Sequence, residues 1–263
     1  MHNEIDLIRL LNIEHVTLVY KRNATIPMAS RIILGLSGPG FTGNIACQEI
    51  IRQWNMDLIG YVKSPFMPPQ TSFFNGIISY PFRIYGSHEQ ATLVMICECP
   101  LLEFSQYFIT KGLYQHFMKK SIKELILLDG YVSKYNKNTA VIATTPETWK
   151  RNHKLALTSH NRANRSSGYI GCFCAAFLNE SIIHDTMDVF AMIAGTSNIG
   201  HPSFSGAIAL LECLGRYLDF PFDFTTLMHE NDTLHHQLQE LINNSNDFLV
   251  DNIYKGEEDE YYI

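Results

Sequence analysis

Short apolar runs alternate along this chain with longer segments in which apolar residues recur at helical spacing. The short runs, rich in Ile, Leu and Val, predict buried strands at Arg31–Leu36, Leu58–Val62, Thr92–Cys97, Glu124–Leu128, Ala140–Ala143 and Asp188–Ile193. The longer segments predict helices at Phe41–Trp54, Glu103–Lys119, Gly168–Leu178, Ser205–Leu218 and Leu227–Ile242. Because strands and helices alternate, the sequence predicts an α/β fold, with a mainly parallel sheet and helices on both faces.

The two ends of the chain depart from this alternation, which divides the sequence into three parts. Residues 1–30 are predicted to pack on the main domain, residues 31–244 to form that α/β domain, and residues 245–263 to form a tail. The tail is acidic between Lys255 and Glu260, and like charges favour an extended, mobile segment. Within the main domain, Asn75-Gly76 between apolar pairs predicts a β-hairpin with a type I′ turn.

Composition narrows the class of protein. With 46% hydrophobic and 17% charged residues, the chain has the composition of a globular protein and not of a disordered one. The net charge of -6 excludes the basic excess that is typical of a nucleic-acid-coating protein. No apolar stretch approaches the ~20 residues that span a bilayer, and the first residues lack the apolar core of a signal peptide. We therefore expect a cytoplasmic protein with reduced thiols and with neither nucleic acid nor membrane as a partner.

A glycine motif follows the first predicted strand of the main domain. Gly38-Pro-Gly-Phe-Thr-Gly43 matches the G-x-G-x-x-G pattern, in which a loop and a helix N-terminus bind the pyrophosphate of a dinucleotide. However, the next strand does not end in the acidic residue that binds the ribose, Pro39 removes one backbone donor, and no P-loop lysine follows. The favoured interpretation is a tight turn between strand and helix, and the alternative is a nucleotide site.

Four of the six cysteines form two C-x-C pairs, Cys97/Cys99 and Cys172/Cys174. Four thiolates could bind zinc, but C-x-C is not the usual C-x₂-C spacing of a zinc knuckle. Cysteine is among the most buried residue types, so packing in the core is the favoured interpretation. No metal and no cofactor is therefore expected.

The chain ends in Tyr261-Tyr262-Ile263, which matches the HbYX pattern (a hydrophobic residue, a Tyr and any terminal residue). Activators and chaperones use this pattern to dock on proteasome rings. An extended tail would present two amphipathic aromatic rings and a terminal carboxylate to a pocket on the partner. These three residues are the predicted partner-binding site, and the alternative is a chance match at the end of the chain.

Several segments together resemble the PAC2 family, which comprises proteasome assembly chaperones and their archaeal relatives. The opening block of that family is similar to Gly35–Ala46, followed by Asp57–Gly60 and Ser64–Pro69. The later blocks are similar to Lys123–Gly130, Gly168–Gly171 and Met192–Ser197 with Pro202, so that the resemblance extends from about Arg31 to Asn243. One acidic residue of the family pattern is absent at Gly195-Thr196, which weakens any inherited ligand site.

The resemblance implies a nucleoside-phosphorylase-like α/β fold and a protein that acts by binding and not by catalysis. It implies a homo-oligomer of the archaeal type, whose tails bind proteasome α subunits or the α-ring. The glycine loop is then a structural element that could border a ligand cleft, formed by Gly35, Gly38, Gly40, Gly43 and Asn44. The alternative is a nucleotide-dependent enzyme, ATP-grasp-like or phosphorylase-like, which would use loop 35–43.

Overall fold

The computed structural model describes residues 7–13, 15–74, 76–87, 89–132, 140–158, 168–196 and 201–234. The strands are β1 (Leu7–Ile13), β2 (Val16–Lys21), β3 (Arg31–Gly35), β4 (Asp57–Lys63), β5 (Ser72–Phe74), β6 (Ile77–Ser79), β7 (Phe82–Ser87), β8 (Thr92–Cys97), β9 (Glu124–Val132), β10 (Ala140–Thr144) and β11 (Asp188–Thr196). The helices are α1 (Thr42–Gln53), α2 (Glu103–Lys119), α3 (Pro146–Arg151), α4 (His153–Thr158), α5 (Cys172–His184) and α6 (Phe204–Leu218), with a 3₁₀ turn at Pro39–Phe41. A second compact unit begins at Phe224 and is helical over residues 225–234.

Nine of the strands form one sheet in the order β1-β2-β4-β7-β8-β3-β9-β11-β10. The four central strands, β8, β3, β9 and β11, are parallel to one another. The strands on either side pair antiparallel. The sheet is therefore mixed, with a parallel centre and antiparallel flanks.

Helices cover both faces of the parallel centre, which explains why its strands are apolar on both sides. Alternate residues of β3 and β9 face α2 and α5 in one core, where Leu34 and Leu127 pack with Leu113, Phe117 and Phe177. The remaining residues of these strands face the other side of the sheet, and they are also buried. On that side α1 packs against β9, α6 packs against β11, and the two helices contact each other. No helix in the described part of the chain is both long enough and apolar enough to cross a membrane.

The predicted α/β class is confirmed, and the parallel pairing lies at the centre of the sheet. The strand pairing of the predicted hairpin is also confirmed, because Phe74 pairs with Ile77. The type I′ turn stays a prediction, since Asn75 lies outside the described residues. The sequence pattern predicts no strand in residues 1–30, where β1 and β2 form an antiparallel pair at one edge of the sheet. The pattern also predicts no element at β7, α3 or α4.

The helix predicted at Gly168–Leu178 lies further along the chain, at Cys172–His184. Gly171 is the N-cap with extended backbone, and Cys172 has a positive φ of 57°. A left-handed residue cannot continue into a preceding helical turn, so the helix begins there and residues 168–171 stay outside it. Of the helix predicted at Leu227–Ile242, residues 235–242 lie outside the described residues.

Candidate functional site

The parallel strands all begin at one level, so their carboxyl ends meet at one edge of the sheet. Arg31 is in register with Thr92 on one side and with Glu124 on the other, and Glu124 is in register with Asp188. The Arg31 guanidinium donates a hydrogen bond to the Glu124 carboxylate, which joins the first residues of β3 and β9. α/β proteins bind their ligands beyond the carboxyl ends of parallel strands, and this edge carries the glycine loop.

Two glycines allow direct backbone contact between β9 and the chain from the 3₁₀ turn to the first turn of α1. A Cβ on Gly43 would lie 1.9 Å from the carbonyl oxygen of Leu128, and a Cβ on Gly130 would lie 2.2 Å from the carbonyl oxygen of Pro39. The Leu128 carbonyl instead accepts a hydrogen bond from the Leu36 amide at 3.0 Å. Only a residue without a side chain fits at either position.

The turn between β3 and α1 is left-handed at two successive residues. Gly40 has a φ of 69° and Phe41 a φ of 48°. The Gly40 carbonyl accepts a hydrogen bond from the Ser203 amide at 2.8 Å, which ties the turn to the start of α6. A non-glycine residue in this conformation is uncommon, and the Phe41 ring remains 42% exposed beside the turn.

The other residues predicted for this loop make packing contacts. A Cβ on Gly35 would lie 2.7 Å from the Gly43 carbonyl oxygen, so this glycine also permits close approach. The Asn44 side chain is buried and its Nδ2 donates to the Cys97 carbonyl at 3.0 Å, joining α1 to β8. Of the five predicted loop residues, only Gly38 borders the cleft described next.

A cleft of about 800 Å³ opens beyond the ends of β3, β8 and β9. Its floor includes Leu36, Ser37 and Asp129, and its walls come from the segment that begins α5 and from the start of α2. Four aromatic residues line it: Phe41, Tyr131, Tyr169 and Phe173. Among the described lining residues there is no Lys, Arg or His, so the charged groups that face this space are carboxylates.

Asp129 is the buried carboxylate of the cleft, with 9% of its surface exposed. Its Oδ1 accepts a hydrogen bond from the Gly130 amide at 2.8 Å. Burial raises the pKa of Asp129 from its ordinary value of 3.8 to about 6, although the hydrogen bond from Gly130 lowers it. The sequence pattern identifies Asp129 only as the end of a strand. The signal for a site is an acidic residue directly after the apolar run Leu125–Leu128.

Glu98, the second carboxylate on the cleft, already has a cationic partner. Both carboxylate oxygens of Glu98 accept hydrogen bonds from the buried Arg83 guanidinium, at 2.6 and 2.9 Å. Ser72 donates to the same carboxylate at 2.9 Å, which connects the β5–β6 hairpin to the main sheet. The Arg83–Glu98 pair therefore stabilises the wall of the cleft and leaves Asp129 as its one buried acid without a cation among the described residues.

The cysteines are distributed as packing residues. Cys97, Cys99 and Cys174 are buried, whereas Cys172 is exposed on the cleft wall. The sulfur atoms of Cys97 and Cys99 lie 3.9 Å apart, and their hydrogen bond, together with burial, raises the pKa of Cys97. No group of three or more His, Cys, Asp or Glu side chains within the described residues has the geometry to hold a metal ion.

Phe104, Tyr107 and Phe108 form an exposed aromatic patch on α2, which the partly buried Phe66 adjoins. Phe66 stacks on Phe108 with ring centroids 4.6 Å apart, and Tyr107 meets Phe108 edge-on at 5.7 Å. Phe104 and Tyr107 are 56% and 54% exposed. The predicted partner-binding residues Tyr261, Tyr262 and Ile263 lie outside the described residues.

The model of the PAC2 family matches residues 32–242, which is most of the chain. This range contains the glycine loop, Asp129 and the parallel centre of the sheet except for Arg31, the first residue of β3. A search of curated proteins found no significant match.

Solved structures with the same fold include two from Pyrococcus furiosus. PbaA, described as an archaeal homolog of proteasome-assembly chaperone, aligns with a TM-score of 0.75 and 22% identity, over 94% of this chain and 99% of that chain. PbaB, described as an archaeal proteasome activator, aligns with a TM-score of 0.72 and 14% identity, over 87% and 99%. A Thermoplasma acidophilum protein with unknown function aligns with a TM-score of 0.67 and 19% identity, over 88% and 92%. At these identities the likeness concerns the fold.

Proposed function

Because this chain belongs to the PAC2 family, we propose that it is a proteasome assembly chaperone-like protein that binds proteasome α subunits or the α-ring. The observation that carries the proposal is the family match over residues 32–242. Two proteins of the same fold are themselves described as a proteasome-assembly chaperone homolog and a proteasome activator. The protein would act in the cytoplasm, by binding and not by catalysis.

In this proposal the tail makes the specific contact with the α-ring. Tyr262 would insert its ring into a pocket of the α-ring, Tyr261 would add apolar area, and the Ile263 carboxylate would pair with a lysine of that pocket. One buried aromatic ring and one charge-assisted pair stabilise such a contact by on the order of 3–5 kcal/mol, before the cost of ordering the tail. A single tail therefore binds weakly, and several tails on one oligomer would bind by avidity.

The exposed aromatic patch supports self-association. Exposed aromatic side chains that touch one another are enriched at protein–protein interfaces and uncommon on monomer surfaces. We assign this patch to contacts between copies of the chain, which would place several tails on one assembly.

The enzyme alternative receives little support from the cleft. A nucleotide there would bring its phosphates toward Asp129 and Glu98, with no basic side chain among the described lining residues. Ser37 donates its hydroxyl proton to the Cys99 carbonyl at 3.1 Å, and the described residues that line the cleft include no histidine or lysine that could act as its base. Calorimetry with ATP and NAD distinguishes the two functions, because micromolar binding would favour the enzyme.

The direct test is a pulldown of purified α subunits from the same organism by the full chain. We expect the intact protein to retain α subunits. Tyr262→Ala should lose most of this signal, whereas Lys255→Ala, a change in the same tail, should keep it. Failure of the intact protein to retain α subunits, alone or as rings, would contradict the proposed function.

A further inference from the structure

The cleft combines a buried acidic group with aromatic rings, and the proposed function uses neither. We propose that this cleft binds an organic ammonium group carried on an apolar stem, with the Asp129 carboxylate as its anionic partner. The proposal concerns a site at the ends of β3, β8 and β9. It does not depend on the tail or on binding to the proteasome.

The charges around the cleft favour a cationic ligand. Asp129 is 9% exposed, and its Oδ1 accepts a hydrogen bond from the Gly130 amide. Glu98 is neutralised by Arg83, and the described lining residues include no cation. A buried carboxylate is costly unless a cation pairs with it, so a cationic ligand would offset a penalty that the described lining residues leave in place.

Gly38 allows the Asp129 carboxylate to lie against the turn that follows β3. A Cβ at Gly38 would lie 1.8 Å from Asp129 Oδ1, so a larger residue would displace the carboxylate from this position. Gly38 and Asp129 both line the cleft, and a ligand would therefore approach the carboxylate from the cleft side.

The aromatic residues that line the cleft also favour an organic cation. Phe41, Tyr131, Tyr169 and Phe173 border the cleft, and Tyr169 is fully exposed, so that its ring has no packing role in the described structure. Ring faces attract ammonium groups, and aromatic residues around an acid are a recurring arrangement for binding organic cations. The volume of about 800 Å³ is that of a small-ligand site.

The carboxylates that face the cleft disfavour a ligand of negative charge. An anionic ligand would meet the Asp129 carboxylate in a partly desolvated space that has no cation among its described lining residues, which is unfavourable. An uncharged apolar ligand would gain the aromatic contacts but would leave the Asp129 carboxylate without a cation. The apolar stem and the ammonium group are therefore both required.

The test is a titration of the full-length, ¹⁵N-labelled protein, followed through the backbone amide signals of Gly38, Gly130 and Gly171. The probes are phenethylammonium, its uncharged analogue 2-phenylethanol and its anionic analogue 3-phenylpropionate. N-acetyl-lysine amide tests whether a lysine side chain of a partner can supply the same group. We expect saturable shifts with either ammonium probe, and binding of 2-phenylethanol and 3-phenylpropionate at least about tenfold weaker than phenethylammonium.

Two variants test the assigned residues. Asp129→Asn keeps the size of the side chain and an acceptor for the Gly130 amide, and should weaken phenethylammonium binding about tenfold or more. Tyr169→Ala removes a fully exposed ring and should weaken it severalfold, whereas Tyr107→Ala, outside the cleft, should not. Equal binding of phenethylammonium and 2-phenylethanol by the intact protein, or no saturable shift with any ammonium probe, would overturn the proposal.

Discussion

Asp129 is the residue whose environment departs most from its ordinary chemistry. Its pKa is raised by burial to about 6, so the folded protein binds this proton more tightly than the unfolded chain does. Between the ordinary pKa of 3.8 and about 6 the unfolded state has already lost the proton, and the free energy of unfolding falls as the pH rises. At neutral pH the charged carboxylate therefore destabilises the fold.

Asp129→Asn should stabilise the protein at about pH 7.5 by up to about 3 kcal/mol, because it removes this charge. The gain should shrink as the pH is lowered toward about 4.5, where the native carboxyl group is protonated in the folded state. Urea denaturation at several pH values measures the difference. Asp57→Asn, at an exposed carboxylate on β4, is the control and should change stability by less than about 0.5 kcal/mol. A destabilised Asp129→Asn protein at neutral pH would contradict this account.

The retention of a destabilising acid agrees with a binding role, since sites often keep groups that lower stability. Sequence reasoning could place Asp129 at the end of a strand, but it could not show that the carboxylate is buried. Burial there results from Gly38, from β9 and from the segment that begins α5, which are far apart in sequence.

At the scale of elements, the packing of α1 against β9 depends on one helical glycine. Alanine normally stabilises a helix relative to glycine by about 1 kcal/mol. At Gly43 the added Cβ would lie 1.9 Å from the Leu128 carbonyl oxygen, and this contact is with backbone that cannot turn aside. Helix propensity therefore favours alanine at this position, whereas the contact with the Leu128 carbonyl disfavours it. The cost of the contact is the larger of the two free energies.

Gly43→Ala should lower the free energy of unfolding by about 2 kcal/mol or more. Gly168→Ala is the control for an added methyl group, because a Cβ there meets no atom of the described residues within 4 Å and should change stability by less than about 0.5 kcal/mol. Thermal or chemical unfolding of the two variants gives the comparison. Equal stability of both would show that α1 does not rest on β9 through Gly43.

The sequence predicted the strands of the parallel centre because they are continuous apolar runs. It missed β7, in which Arg83 interrupts the apolar pattern. The structure shows why a buried strand tolerates this residue, since Arg83 pairs with Glu98 beyond the end of the neighbouring strand β8. That partner becomes visible only after β7 and β8 are paired. The PAC2 resemblance, which rests on loop motifs and not on periodicity, is confirmed by the family match.

At the scale of the whole molecule, the exposed aromatic patch is assigned to contacts between copies. We expect a mass of several protomers by light scattering for the intact protein. The double change Phe104→Ser and Tyr107→Ser should shift the mass toward the monomer, because it removes the two most exposed rings of the patch.

Met28→Ser supplies the control for this experiment. Met28 is 97% exposed and lies outside the patch, so its substitution should leave the mass unchanged. A monomeric mass for the intact protein at micromolar concentration would contradict self-association and the avidity that depends on it.

The central claim is that the protein binds the proteasome α-ring through its last three residues. Equilibrium binding of purified α-rings to the intact chain and to a chain that lacks Tyr261–Ile263 tests it most directly. The folded domain and its oligomer should be unchanged by the deletion, while α-ring affinity should fall at least about tenfold, because each assembly loses several tails at once. Equal affinity of the two proteins for the α-ring would contradict the claim and would assign any binding to the folded domain.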